Sequence, residues 1–139
     1  GDKAKKEQLI SVAKQQNELI RVSEIGLKKA KSAEARNLAM TTQLSLISEQ
    51  AELQSAVKGT GVKISAKTIG GKDPKTDDLF TKAEQANNFD DVFIQKLQAD
   101  LTKYAKAVKV AYTNTTSKKA KLALEAQFNN AATLANFKE

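Results

Sequence analysis

Residues 87–112 read NNFDDVFIQKLQADLTKYAKAVKVAY, and the spacing of their apolar side chains decides the fold. Phe89, Phe93, Leu97, Leu101, Tyr104, Val108 and Ala111 recur at steps of three and four, which lines them along one face of a long helix. That face holds much of the aromatic content of the chain. It is also where a catalytic helical bundle carries its metal ligands, and it offers none.

Downstream, residues 113–117 (TNTTS) make a tight connection. A last helix from Lys118 to about Lys138 presents Leu124, Phe128, Ala131, Leu134 and Ala135. Upstream, Asp73 caps and Pro74 opens a short helix over residues 74–84, with Leu79, Phe80 and Ala83 as its apolar contacts. Residues 59–73 precede it. Gly59, Gly61, Gly70 and Gly71 break helix there, and Val62 and Ile64 alternate as in an extended segment. Fifteen extended residues reach about 50 Å, enough to travel the length of a bundle.

The first half reads as two helices. Residues 3–31 carry Leu9, Val12, Ala13, Leu19, Ile20, Ser23, Leu27 and Ala30 as a stripe, on a helix about 43 Å long. Ser32 caps a second helix running to about Lys58, with Glu34 in its first turn. In that helix Ala39, Leu46 and Leu53 repeat every seven residues, flanked by Ala35, Thr42 and Glu49. So short a joint makes the two helices antiparallel. Glu49 is expected to be a solvated side chain, because an unpaired buried acid is costly. The expected architecture is one all-α domain over residues 1–139. It is a four-helix up-down bundle with a long crossover between helices two and three and a short extra helix after the crossover.

Composition agrees and narrows the chemistry. There are 23 Lys and Arg against 16 Asp and Glu, a net charge of +7, with one Pro and 40% hydrophobic residues. Such a charge favours anionic partners only weakly and non-specifically. His and Cys are both absent, which removes the commonest transition-metal ligands, the commonest general base at neutral pH and any disulfide. No run of about 18 apolar residues is present to span a bilayer. The chain opens on Gly1-Asp2 without an initiator Met, which reads as a trimmed N-terminus. Either a signal peptide or a disordered tail fits that start.

Gly70-Gly71-Lys72 lacks the spacing of a phosphate-binding P-loop and reads as a turn. No Glu-x-x-His exists for a di-metal site of the ferritin-like kind. Glu18, Glu24, Glu49, Glu52, Asp100 and Glu125 share no inward position and are expected on solvated faces. Asp73, Asp77 and Asp78, or Asp90 and Asp91, could hold a hard cation, but acids at helix starts are the simpler account. Lysines at 3–6, 28–31 and 118–121 come with only two Arg, Arg21 and Arg36, so specific nucleic-acid binding is not expected. No catalytic, cofactor-binding or metal residue is therefore assigned.

IGLKKAKSAEARNLA (residues 25–39), LQSAVKGTGVKI (53–64) and NNFDDVF (87–93), in that order and spacing, resemble a family of exported bacterial proteins of unknown function. Its members are commonly named predicted outer membrane proteins, and their domain is ferritin-like. The resemblance implies a periplasmic or outer-membrane-associated module whose signal sequence lies outside this chain. The histidines that the family places in its second, third and fourth helices align with Leu46, Leu101 and Leu134, and a first-helix acid aligns with Leu19. Each leucine, once buried, contributes roughly 1.5 to 3 kcal/mol where the family carries a polar group. The interior is accordingly expected to be apolar and without chemistry.

The functional expectation is a non-catalytic binding or structural module with an envelope component or another protein as partner. Ile10, Val22, Ile25, Leu44 and Ile47 are its candidate partner surface, and a broad core stripe is the alternative account of them. The competing functional reading is a metalloprotein with an all-carboxylate site.

Overall fold

A computed structural model describes residues 1–137; it is all-helical, with no strand among the described residues. The helices are α1 (Asp2–Lys29), α2 (Ala33–Ala56), α3 (Ala66–Ile69), α4 (Pro74–Gln85), α5 (Phe89–Asn114) and α6 (Lys118–Ala135). The expected end of the last helix at Lys138 lies outside the described residues.

Local chemistry sets the helix ends. Ser32 Oγ accepts from Ala35 N at 3.1 Å, Asp73 Oδ1 from Lys75 N at 3.0 Å and Ser117 Oγ from Ala120 N at 3.2 Å, each filling one orphan donor of a first turn. Pro74 follows Asp73 at the start of α4, where its missing N–H costs nothing. Arg36 donates to the carbonyls of Leu27 and Ala30 at the end of α1, closing the turn into α2.

Contacts between helix ends fix the directions. α1 and α2 are antiparallel across a three-residue joint, and so are α5 and α6. α5 starts beside the α1–α2 turn, where Asp90 accepts from Lys31 N and Ser32 N, and it finishes beside the start of α1, where Asn114 donates to Gln8 Oε1 at 3.0 Å. α1 therefore packs antiparallel against both α2 and α5, while α6 closes the bundle against α5 and α2.

The crossover is more ordered than its glycines imply. Val57, Val62, Ile64 and Ile69 are buried and pin it to the bundle, and residues 66–69 form the short α3 rather than extended chain. Gln54 donates to the Ile64 carbonyl at 2.7 Å and Asn17 to the Ile69 carbonyl at 3.3 Å. Arg21 then bridges Glu18 on α1 and Asp77 on α4, at 2.7 and 2.8 Å. At the top of α4, Phe80 meets Phe89 and Phe93 with ring centroids 5.4 and 5.9 Å apart. Leu79, expected as an apolar contact of this helix, is 39% exposed; buried Thr76 lies on the inner face instead.

All seven residues expected on the buried face of α5 are buried, and Ala105 joins them. α1 departs from expectation. Its stripe sinks Gln16, Val22 and Gly26, while Ile20 and Leu27 are only half-buried. Gly26 is buried because the tip of the Phe93 ring reaches it: a Cβ there would overlap Cζ, Cε1 and Cε2 of Phe93. A glycine within a helix commonly marks such a close approach.

A candidate functional site: the buried polar layer

The interior is not uniformly apolar. Gln16 on α1, Glu49 on α2, Tyr104 on α5 and Gln127 on α6 are all buried and meet at one level of the bundle. Tyr104 OH donates to Glu49 Oε1 at 2.9 Å and accepts from Gln16 Nε2 at 2.9 Å. Gln16 Nε2 also donates to Gln127 Oε1 at 3.3 Å, and Gln127 Nε2 donates to the Glu49 carbonyl at 3.1 Å. Asn130, one turn along α6, donates to Glu49 Oε2 at 2.6 Å. Each long helix supplies at least one member.

This corrects the expectation of a solvated Glu49 and of an apolar centre. The costly case is an unpaired acid, and Glu49 is paired: both carboxylate oxygens accept hydrogen bonds from other helices. Burial pushes its pKa up to about 7; the hydrogen bonds from Asn130 and Tyr104 oppose that rise and the charge of nearby Glu52 adds to it. The Tyr104 phenol is pushed well above its ordinary range, first by burial and then by the Glu49 charge, so it stays a donor. Gln16 Oε1 and Thr42 Oγ1 are buried without a hydrogen-bond partner.

Leu19, Leu46, Leu101 and Leu134 are buried. Given the helix directions, the first three lie one turn, about 4.5 Å, from Gln16, Glu49 and Tyr104, all on the side of the α1–α2 turn. Apolar and polar layers are thus stacked. Two signals in the sequence pointed to this. Glu49 falls in the heptad flank with Ala35 and Thr42, both buried, and an inward tyrosine needs a partner for its hydroxyl.

The other acids do not converge. Asp73 is a helix cap. Asp77 faces Arg21, whose hydrogen bond holds its carboxyl below the usual range. The Asp90 carboxyl is also lowered: desolvation opposes this, but the Ser32 and Lys31 amides prevail. Among the described residues no three His, Cys, Asp or Glu side chains are grouped as metal ligands. A groove of about 380 Å³ beside α1, α4 and α5 sets Glu18, Asp73 and Asp100 against Lys96 and Lys103, and Lys96 pairs with Asp100 at 3.0 Å.

The candidate partner surface divides. Val22 is fully buried and Ile10 and Ile25 pack half-buried against the core, so on α1 the broad core stripe is correct. On α2, Leu44 and Ile47 are 64% and 50% exposed, and Met40, one turn before Leu44, is 49% exposed. No helix is long and apolar enough to cross a membrane among the described residues. Comparison of the chain with protein-family models, curated proteins and solved structures returned no match.

Proposed function

We propose that the chain is a non-catalytic, ferritin-like four-helix bundle that works through its outer surface as a binding or structural module of the cell envelope. The observation that carries this reading is the content of the interior. Its polar groups are mostly bonded to one another, only one carboxylate is among them, and buried leucines occupy the neighbouring level. A nucleophile with an adjacent base is missing from that set. The envelope location rests on the sequence resemblance alone. Metal analysis of protein purified without chelator tests the reading: no stoichiometric metal is expected, and one equivalent of iron, manganese or zinc overturns it.

A second reading, a carboxylate-dependent cation binder, draws on the orphaned Gln16 Oε1 beside Glu49 and Tyr104. One carboxylate with neutral oxygens suits a hard cation rather than zinc or iron. Thermal melts with and without millimolar calcium or magnesium separate the two, since only a bound cation raises the midpoint.

A further inference from the structure

α2 carries two seams. The inner one, Ala35, Ala39, Thr42, Leu46, Glu49 and Leu53, is buried in the bundle. The outer one, Met40, Leu44, Ile47 and Ala51, has the same alternation of four- and three-residue steps and is exposed along its whole length. A seam with that spacing is what a second helix packs against.

Charge identifies the helix that fits. The chain carries +7, and α1, α5 and α6 each bear at least three lysines. α2 has no lysine; between Arg36 and Lys58 there is no basic residue, and the acids in that interval are Glu49, which is buried, and Glu52, which is exposed beside the outer seam. Two copies meeting through any other long helix bring lysine-bearing faces together. Across α2 they bring neutral apolar stripes together. An anionic partner would be drawn to the other faces, not to this one.

Charge also sets the direction. The end of the bundle where α1 and α6 begin and α2 finishes carries Lys3, Lys5, Lys6, Lys58, Lys118 and Lys119 against Asp2 and Glu7, and so is basic. The opposite end balances Lys28, Lys29 and Lys31 against Glu84, Asp90 and Asp91. Parallel pairing would abut the two basic ends, whereas antiparallel pairing sets each against a balanced one. We infer that the chain forms an antiparallel two-fold dimer through the outer face of α2, with the axis between Leu44 and Ile47, so that Leu44 of one copy meets Ile47 of the other and Met40 meets Ala51. This names a partner for the surface proposed above and rests on that reading. A single helix-to-helix seam falls near or below the low end of stable interfaces, about 1,200 Å² in total, so the pair is weak and concentration-dependent.

Sedimentation equilibrium of the full chain from about 1 µM to about 1 mM tests it. The mass is expected to rise from 15.1 kDa toward twice that value. Leu44→Glu should weaken association at least about tenfold with helical content unchanged, since it buries a carboxylate without a partner. Leu122→Glu, at a still more exposed leucine on α6, should leave it intact. Added salt should tighten the pair by screening like charges. With no native cysteine present, the double variant Leu44→Cys/Ile47→Cys should cross-link on oxidation, because those two positions face each other across the axis. Ala51→Cys alone should not, because antiparallel helices centred between residues 44 and 47 hold the two copies of that position about 16 Å apart. A monomer at every concentration, dissociation by salt, indifference to Leu44→Glu, failure of Leu44→Cys/Ile47→Cys to cross-link or cross-linking through Ala51→Cys alone each overturns the inference. A metal-free monomer would do so while leaving the non-catalytic reading standing.

Discussion

Tyr104 donates its phenolic hydrogen to Glu49 Oε1 across 2.9 Å, in the middle of the bundle, from a helix 55 residues away in the chain. The bond makes a buried carboxyl tolerable, and it ties α2 to α5 across the diagonal of the bundle. Its consequences for stability are measurable.

Stability should fall as pH rises between about 4.5 and about 7. Glu49 titrates near 4.5 in the unfolded chain and near 7 in the folded one, chiefly because burial disfavours its charge. In that window the folded state holds a proton that the unfolded state has released, so raising the pH favours unfolding. The contribution is fully present below 4.5 and is lost as pH passes through 7, about 3 kcal/mol in all at about 1.4 kcal/mol per pH unit. Urea unfolding at pH 5, 6, 7 and 8 checks it. Glu49→Gln should flatten the slope, because no titrating group then remains at that site.

Tyr104→Phe should cost about 1 to 3 kcal/mol by leaving Glu49 Oε1 and Gln16 Nε2 short of a partner. The loss should be larger at pH 8 than at pH 5, because an ionised carboxylate needs the donor more than a neutral acid does. Unfolding curves of the two single variants and of Glu49→Gln/Tyr104→Phe would measure the coupling directly. Strict additivity would show that the bond contributes nothing.

Gly26→Ala should destabilise the bundle by about 1 to 3 kcal/mol, although alanine is the better helix former by about 1 kcal/mol. The reason is the Phe93 ring lying against the glycine. Phe93→Leu in the same chain should recover part of the loss. A thermal midpoint unchanged by Gly26→Ala alone would show that the ring can move aside.

Asp90→Ala should loosen the turn between α1 and α2. The carboxylate accepts from Lys31 N at 3.1 Å and Ser32 N at 2.7 Å, and those amides should exchange with solvent several-fold faster once it is removed, for a loss of about 1 kcal/mol. Hydrogen exchange read at Lys31 and Ser32, with the middle of α5 as internal reference, is the measurement.

The amino-acid sequence by itself determined where the five longer helices lie, though not the short α3. Ser32, Asp73 and Pro74 sit at helix starts because capping is local chemistry between neighbours in the chain. The three- and four-residue steps of α5 settled its buried face for the same reason: period, length and apolarity are all written within 26 residues. Two further features were present but open to more than one reading. The apolar residues of α1 run more than halfway around the helix, so periodicity alone did not separate buried Val22 from half-buried Ile10 and Ile25. The glycines of the crossover spelled a break in helix without showing that Val62, Ile64 and Ile69 would pin the segment down.

Only the tertiary structure decided what the interior contains. Whether a glutamate is solvated or buried depends on whether donors reach it, and those of Glu49 come from residues 55 and 81 positions away. The same holds for Gln16, whose partners Tyr104 and Gln127 lie 88 and 111 residues away in the chain. Hydrogen-bond satisfaction is a property of neighbours in space, and periodicity along one helix carries no record of which polar groups the other three will present.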